Sequence, residues 1–326
     1  MTWRDDIDRA VAILRAGGLV AFPTETVYGL GADAENRDAV RRIFTVKGRP
    51  LTHPLIVHLS SADDLHHWAE SVPDLARRLA ARFWPGPLTL VLRRGARVPL
   101  VVTGGLDTVG FRVPDHPVAL AMLRKFGGGV AAPSANRFGK VSPTTAAHVR
   151  DDLQQLVDLV LDGGPCSVGV ESTIVDLSDG EPEILRPGGV TPEELEREFG
   201  RPFHIRTGGP VKVPGQHASH YAPKARVVLV RPDEALARAR FFREQGLRVG
   251  LITSERIAVP AADSVVVASS NVDLGRRLYA ALRNFDRLEC AVVLATLPPE
   301  SGLGLAVADR LRRAAGPSAR NESKSE

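Results

Sequence analysis

A segment without any sustained hydrophobic period divides this chain into a long part and a short part. Residues 201–224 (RPFHIRTGGPVKVPGQHASHYAPK) are rich in glycine, proline and histidine, a composition typical of turns and extended backbone. Regular apolar patterns precede and follow it, so it predicts an extended linker between two domains. The length of 326 residues agrees, because single hydrophobic cores seldom grow beyond ~250–300 residues.

Strand-like runs and helical patterns alternate before the linker, beginning with a helix that carries Ile7, Val11 and Leu14. Strands separated by helices can pair in parallel, whereas short connections imply antiparallel neighbours, so the pattern predicts an α/β domain with a mixed sheet. The apolar runs predict strands at 19–22, 55–59, 88–92, 109–113, 130–132, 156–161, 172–177 and 183–186. Helical spacing predicts helices at 62–69, 74–84, 117–126 and 144–153.

Two further helices carry their own start signals. Asn36 can cap a helix that ends near Lys47-Gly48. Thr191-Pro192-Glu193-Glu194 is a capping box with proline at the first helical position, so a last helix closes the domain near Gly200. Residues 24–31 are predicted to form a polar turn that contains glycine.

The pattern restarts after the linker and predicts a smaller, doubly wound α/β domain. Its Gly302-Leu303-Gly304 lacks the third glycine of the dinucleotide fingerprint and precedes the last helix, so no bound NAD is predicted. The predicted strands lie at 227–230, 248–253, 264–268 and 291–296, and the predicted helices at 233–245, 272–286 and 304–314. The predicted organisation is a domain at 1–200, the linker at 201–224, a domain at 225–316 and a disordered tail at 317–326.

Composition narrows the class of protein. No apolar run is long enough to cross a bilayer and the N-terminus is too polar for a signal peptide, so we expect a cytoplasmic protein. The single cysteines, Cys166 and Cys290, stand among apolar or small residues, which favours buried thiols in a reducing compartment. The net charge of +4 is compatible with an RNA ligand, a phosphate ligand or neither.

Two short motifs place cations and hydrogen-bonding groups at the ends of predicted elements. Lys47-Gly48-Arg49-Pro50 can bind phosphates, although this segment taken alone is better explained as a basic helix C-terminus that favours the macrodipole. In the segment 131–136 (AAPSAN), small residues lead to the hydroxyl of Ser134 and the amide of Asn136. This segment suits a ligand that approaches the backbone closely, or an ordinary turn after a strand.

Other polar residues extend this inventory. Thr108, Gly110 and Arg112 share one face of a strand, opposite 109, 111 and 113, so Arg112 can clamp a carboxylate or form an internal ion pair. His58 closes a strand, where a lone histidine is more often structural than a catalytic base. Cations and hydroxyls at element ends, without a cysteine nucleophile or a metal-ligand cluster, suit an anionic substrate.

Seven segments resemble the YrdC-like family in their order and spacing over residues 12–190. The linker's HASHYAP and the second domain resemble the long, two-domain form of that family, the L-threonylcarbamoyladenylate synthases. The seven segments are FPTETVYGLG, KGRP–HPLIVH, PGPLTLVL, VGFRVPDHP, APSANRFGKVSPT, ESTIVD and ILRPGG.

The resemblance implies a YrdC-like domain with a twisted mixed sheet and a deep cationic cavity, followed by a smaller Rossmann-like α/β domain. It also implies that ATP, L-threonine and bicarbonate react to threonylcarbamoyl-AMP and pyrophosphate. A downstream threonylcarbamoyl transferase complex would then modify the tRNA adenosine next to the anticodon, and a weak contact of this chain with tRNA is included in the expectation. Mg²⁺ is expected to arrive with ATP, because the triphosphate carries several negative charges.

The same resemblance assigns roles to single residues. One departure is His53, where the family commonly has asparagine, so this nucleotide contact is the least secure. The implied catalytic residues are Lys47, Arg49, Ser134 and Asn136. The implied ATP-binding residues are Lys47, Arg49, His53, Thr108, Ser134, Ser142, Arg186 and Tyr221. The implied L-threonine-binding residues are Thr26, His58, Arg112, the Ala132 backbone and Ser172.

Two other classes share parts of this pattern. An RNA-binding module would present stacking aromatics, yet aromatic residues make up only 5% of the chain and the basic motifs lie among hydroxyls and glycines. A carbamoyl-transfer module of the hydrogenase-maturation type would be joined to zinc-finger-like and acylphosphatase-like regions, and neither pattern is present in this sequence.

Overall fold

A computed structural model describes residues 3–206, 221–255 and 257–316. These residues form two compact units. The first comprises residues 3–138, 142–167 and 171–206, and the second comprises 139–141, 168–170 and the described residues from 221 onward. The predicted disordered tail and most of the predicted linker, residues 207–220, lie outside the described residues.

The first unit is built on a ten-stranded mixed sheet, which confirms the predicted α/β class. In chain order the strands are β1 Val20–Phe22, β2 Gly29–Asp33, β3 Ile56–His58, β4 Leu88–Arg93, β5 Thr108–Arg112, β6 Val130–Ala131, β7 Leu159–Val160, β8 Thr173–Asp176, β9 Glu183–Arg186 and β10 His204–Ile205. In the sheet they follow the order β10-β9-β8-β4-β5-β3-β6-β2-β1-β7.

Parallel and antiparallel pairs alternate at the centre of this sheet. β3 pairs in parallel with β5 and antiparallel with β6, so His58 is the register partner of both Arg112 and Val130. β4 pairs antiparallel with β5 and in parallel with β8. The ends of β3, β5 and β6 therefore bring together segments that lie far apart in the sequence.

Helices cover both faces of the sheet because successive strand residues point to opposite sides. Val20 and Phe22 of β1 pack in one hydrophobic cluster, whereas Leu19 and Ala21 pack in another. The helices of this unit are α1 Trp3–Arg15, α2 Arg37–Lys47, α3 Leu65–Trp68, α4 Asp74–Phe83, α5 Leu100–Thr103, α6 Pro117–Phe126, α7 Ala146–Leu153 and α8 Pro192–Phe199. Residues of α1 and α6 lie in the cluster with Val20, and residues of α2, α4, α7 and α8 lie in the cluster with Leu19.

Both predicted helix caps are confirmed. The Asn36 side chain accepts hydrogen bonds from the backbone N–H groups of Asp38 and Ala39, both at 3.1 Å, and Gly48 ends α2 in the left-handed region with φ 63°. Thr191 and Glu194 form the reciprocal capping box at the start of α8. These local signals set the point where α2 ends and hence the position of Lys47.

The second unit contains a four-stranded, fully parallel sheet in the order β11-β14-β12-β13. Its core includes buried residues of three strands and of α9, such as Val228, Ala239, Leu251 and Leu294. The elements are β11 Arg226–Leu229, α9 Ala235–Glu244, β12 Val249–Thr253, β13 Ser264–Val267, α10 Asn271–Arg287, β14 Val292–Ala295 and α11 Leu303–Ala315. Each lies where the apolar pattern predicts it.

Two predictions for loop segments are wrong in part. The predicted turn at 24–31 runs into β2, which pairs with both β1 and β6 and therefore forms through its neighbours in the sheet. The predicted linker begins with β10, whose His204 and Ile205 pair in parallel with Glu183 and Ile184.

Both cysteines are buried free thiols, as their surroundings predict. None of the helices in the described residues combines the length and apolar character needed to cross a membrane.

Replacing Asn36 with alanine should lower the free energy of unfolding by about 1 kcal/mol, because two backbone donors at the start of α2 lose their acceptor. Asn36→Ser retains a capping oxygen and is the matched control. Urea denaturation of the three proteins measures the difference. An equal loss in both variants would contradict capping as the cause.

Candidate active site

The side chain of Lys47 joins the two motifs that the sequence singled out. Its Nζ donates hydrogen bonds to the backbone oxygens of Ser134 at 2.6 Å and Asn136 at 2.5 Å, and lies 3.5 Å from Asn136 Oδ1. The backbone N–H of Phe138 donates in return to the Lys47 carbonyl oxygen at 2.8 Å. The C-terminal end of α2 and the loop after β6 are therefore locked together.

Burial makes this lysine unusual. Lys47 is 2% exposed, and burial, with the nearby charge of Arg49 as the second cause, holds the pKa of its ammonium well below the usual range. A buried ammonium needs acceptors, and here backbone oxygens supply them. A bound anion would favour the charged form of Lys47 because it would offset the repulsion from Arg49.

Arg49 lies directly after the end of α2 and is also largely buried. Its Nε donates to the backbone oxygen of His53 at 3.3 Å and one terminal nitrogen donates to that of Pro54 at 2.9 Å. Its guanidinium carbon lies 5.7 Å from the centre of the Phe138 ring, which also packs against the ring of His53. These contacts fix Arg49 and His53 beside the loop that carries Ser134 and Asn136.

Arg112 forms an internal ion pair, which is one of the two alternatives that the sequence left open. One terminal nitrogen, NH2, donates to Glu25 Oε1 at 2.6 Å, and Nε donates to the backbone oxygen of Gly86 at 3.3 Å. Among the described residues, hydrogen bonds of the Arg112 guanidinium are formed by Nε and NH2, and none is formed by its other terminal nitrogen, NH1. The pair therefore leaves donors of Arg112 available for a ligand.

His58 is the cross-strand neighbour of Arg112 and is 4% exposed. Burial, with the charge of Arg112 as the second cause, lowers the pKa of its imidazole to about 3. The ring packs edge-on against Phe22, with 5.7 Å between the ring centres. His58 is therefore a neutral imidazole at physiological pH, suited to hydrogen bonding.

The segment that carries Glu25 is a tight polar turn after β1. The hydroxyl of Thr24 donates to the backbone oxygen of Val27 at 2.6 Å and accepts from the backbone N–H groups of Thr26 and Val27, both at 3.2 Å. The hydroxyls of Thr24 and Thr26 lie 2.9 Å apart. This turn holds Thr26 and Glu25 in fixed positions.

Two further predicted residues meet at the ends of β8 and β9. Arg186 donates to the backbone oxygen of Ser172 at 2.9 Å and to its hydroxyl at 3.2 Å. The Ser172 hydroxyl also lies 2.8 Å from that of Thr89. Ser142 donates to Glu171 Oε1 at 2.7 Å, so the residue before Ser172 holds another predicted nucleotide contact.

The remaining predicted residues, Ala132, Thr108 and Tyr221, lie in three different parts of the fold. The backbone N–H of Ala132 donates a hydrogen bond to the backbone oxygen of Ile56 at 2.8 Å. Thr108 begins β5, at the opposite end of the strand from Arg112. Tyr221 lies in the second unit, where its buried ring stacks on Tyr279 at 5.6 Å between ring centres and beneath Arg310.

Hydrogen bonds thus bring the predicted residues together in groups. One group contains Lys47, Ser134 and Asn136, with Arg49 and His53 adjoining. A second contains His58 and Arg112, and a third contains Ser172 and Arg186. Sequence reasoning noted the carboxylate of Glu25 at a strand end but assigned no role to it or to Glu171. Glu25 pairs with Arg112, and Glu171 accepts a hydrogen bond from Ser142.

The donor set offers no protein cage for a metal ion. Within the described residues, no group of three or more His, Cys, Asp or Glu side chains could hold one. The functional groups are cations, hydroxyls and amides, which suit a negatively charged organic ligand.

Comparison with known proteins assigns both parts of the chain. The family profile described as Telomere recombination (Sua5_yciO_yrdC) matches residues 12–188. The profile described as Threonylcarbamoyl-AMP synthase, C-terminal domain (Sua5_C), matches residues 190–316.

Individual relatives are similar over nearly the full length. Threonylcarbamoyl-AMP synthase of Pyrococcus abyssi is 45% identical over 94% of this chain and 93% of its own, and that of Bacillus subtilis is 44% identical over 95% and 93%. The crystal structure of P. abyssi Sua5 complexed with L-threonine superposes with a TM-score of 0.91 at 44% identity, covering 96% of this chain and 94% of that chain.

The buried imidazole of His58 predicts a pH dependence of stability. Its pKa is lower in the folded chain than in the unfolded one, so the unfolded chain binds about one proton more as the pH falls below ~6.5. The contribution of His58 to the free energy of unfolding is therefore fully present at neutral pH and is lost progressively toward pH ~3. Denaturant unfolding between pH 7 and 5 should show a shallower dependence in His58→Gln. His67→Gln removes an exposed histidine and is the control, and equal slopes in wild type and His58→Gln would contradict the assignment.

Proposed function

The chain belongs to the threonylcarbamoyl-AMP synthases, whose product serves the threonylcarbamoyladenosine modification of tRNA, and we propose that its first unit joins L-threonine, bicarbonate and ATP. The observation that supports this site is the pair of hydrogen bonds from Lys47 Nζ to the backbone oxygens of Ser134 and Asn136. These bonds join the Lys-x-Arg and Ser-x-Asn motifs. The products are threonylcarbamoyl-AMP and pyrophosphate.

The chemistry needs position and charge more than a covalent nucleophile. The free amine of threonine combines with bicarbonate to give a carbamate and water. A carbamate oxygen then attacks the α-phosphorus of ATP, and the bond to the β-phosphate oxygen breaks as pyrophosphate leaves. Negative charge concentrates on the phosphates in this step, so fixed cations and hydrogen-bond donors lower its barrier.

The Lys47 group is proposed to bind the triphosphate. The ammonium of Lys47 braces the loop through two backbone oxygens, and its charge acts with that of Arg49 on the phosphates. Ser134 and Asn136 would contact the reacting carbamate and the α-phosphate from the braced loop. The other proposed nucleotide contacts are His53, Thr108, Ser142, Arg186 and Tyr221.

The Arg112 group is proposed to bind L-threonine. NH1 of Arg112 forms no hydrogen bond among the described residues and suits the substrate's carboxylate. Neutral His58 can hydrogen-bond the substrate without adding charge. The hydroxyls of Thr26 and Ser172 and the backbone of Ala132 complete the proposed set.

A magnesium ion is proposed to enter with ATP. Because the described residues offer no carboxylate cluster, phosphate oxygens and water would hold the ion. When bound, it would neutralise charge on the leaving pyrophosphate. The residues of this chain would then have only to position the magnesium–nucleotide complex.

The remaining expectations from the sequence are part of the proposal. We place the catalytic domain at 1–200 and a Rossmann-like domain at 225–316, joined by the segment 201–224, which begins with β10 of the first sheet. We place a deep cationic cavity in the catalytic domain. Threonylcarbamoyl-AMP would pass to a downstream threonylcarbamoyl transferase complex in the cytoplasm, and contact of this chain with tRNA would be weak.

Pyrophosphate release tests the substrate set. Incubation with ATP, Mg²⁺, bicarbonate and L-threonine should release pyrophosphate, and omission of threonine or bicarbonate should stop it, because the carbamate is the attacking group. Mass spectrometry of the product should identify threonylcarbamoyl-AMP. Release at the full rate without threonine would remove threonine from the proposal.

Arg49→Ala should lower kcat/KM at least about a hundredfold, because a cation that stabilises developing charge is lost. Arg137→Ala is the matched control, since Arg137 is an exposed arginine on the neighbouring loop that donates to the backbone oxygen of Val46. Circular dichroism and thermal unfolding verify that both variants fold. Undiminished activity in folded Arg49→Ala would exclude Arg49 from the mechanism.

A further inference from the structure

We propose that Glu25 is a positioning residue for threonine recognition, which it serves by holding Arg112 so that NH1 faces the carboxylate of the substrate. The inference rests on the proposed function of Arg112. Glu25 itself would not touch threonine. It would act through Arg112 and through the turn that carries Thr26.

Both oxygens of the Glu25 carboxylate are engaged. Oε1 accepts from NH2 of Arg112 at 2.6 Å, and Oε2 accepts from the backbone N–H of Asp115 at 3.0 Å. The two side chains are 4% and 5% exposed, so the pair is almost completely removed from water. A carboxylate held at both oxygens has one orientation, and it imposes one orientation on the guanidinium.

The backbone around Arg112 adds rigidity to the same arrangement. The oxygen of Gly86 accepts from Arg112 Nε, and the backbone N–H of Gly86 donates to Val113 at 2.8 Å. The backbone N–H of Leu59 donates to the Arg112 oxygen at 2.8 Å. With Nε and NH2 both fixed, the plane of the guanidinium and the direction of NH1 are set.

Glu25 also supplies the negative charge that the buried guanidinium needs. The charge of Glu25 also acts electrostatically on Cys166 and His116. Burial, the larger cause, raises the pKa of the Cys166 thiol to about 12 and lowers the pKa of the His116 imidazole. Both are therefore neutral near pH 7. A buried guanidinium without a carboxylate partner would be strongly disfavoured, so the carboxylate is needed to keep Arg112 in place.

The position of Glu25 in the chain links two parts of the proposed threonine site. It stands between Thr24 and Thr26 in the turn after β1, whereas Arg112 ends β5. One ion pair therefore ties the turn that presents Thr26 to the strand that presents Arg112. Its loss should weaken threonine binding and leave the nucleotide contacts around Lys47 in place.

Steady-state kinetics of the full-length chain test this inference. Glu25→Gln keeps the size of the side chain but turns one acceptor into a donor, which must then face either Arg112 or the Asp115 N–H. We expect the KM for threonine to rise about tenfold or more, with the KM for ATP within about twofold of wild type. Glu35→Gln is the matched control, because Glu35 pairs with Arg97 at 2.7 Å on an exposed part of the same unit.

A double-mutant cycle separates positioning from a general structural role. If Glu25 acts through Arg112, Arg112→Met should raise the KM for threonine and Glu25→Gln should add little in that background. The inference would be overturned if the two substitutions raise the threonine KM by independent factors that multiply in the double variant. An unchanged or lower threonine KM in Glu25→Gln would also overturn it. If Arg112→Met leaves the threonine KM unchanged, the proposed threonine site itself is wrong.

A variant with a shorter acidic side chain, Glu25→Asp, tests the same inference if Glu25→Gln fails to fold. Glu25→Asp keeps the charge but, being one methylene shorter, reaches either Arg112 or the Asp115 N–H and not both. We expect a folded protein by thermal unfolding, with a threonine KM raised above wild type by several-fold. A wild-type threonine KM in Glu25→Asp would show that the two-point hold on Arg112 is unnecessary and would overturn the inference.

Discussion

The burial of the Lys47 ammonium is the constraint on which the proposed nucleotide site depends. A charge with 2% exposure must find acceptors, and the backbone oxygens of Ser134 and Asn136 supply them. Lys47 can reach them because Gly48 ends α2 in a left-handed conformation directly after it. The loop after β6 is consequently positioned by a residue more than eighty positions earlier in the chain.

The same burial prepares the site for an anion. The charge of Arg49 helps to hold the pKa of Lys47 below its usual range, so each cation destabilises the other in the unliganded protein. A triphosphate would relieve this repulsion, and the relief is greatest where negative charge is densest. An adenylation whose charge develops on phosphate oxygens gains most from cations that the fold has already placed and desolvated.

Local signals in the sequence were sufficient to predict a structural feature wherever a single side chain determines it. Asn36 and Thr191 start their helices because their side chains satisfy backbone donors within three positions, an interaction that needs no tertiary context. By contrast, β2 consists of Gly, Leu, Gly, Ala and Asp, so little in its composition favours a strand. It is a strand because β1 and β6 supply hydrogen-bond partners on both sides.

Arg112 shows where sequence reasoning must stop and why. Alternation along β5 placed its side chain on the face opposite Val109 and Phe111, which pack in the core, but left a ligand clamp and an internal ion pair as alternatives. These alternatives are compatible because a guanidinium has five N–H donors on three nitrogens. Glu25 and Gly86 take donors on two of the nitrogens, and holding those two is what gives the third a defined direction. An ion pair that is internal to the fold therefore leaves the same arginine a donor for the proposed recognition of a substrate.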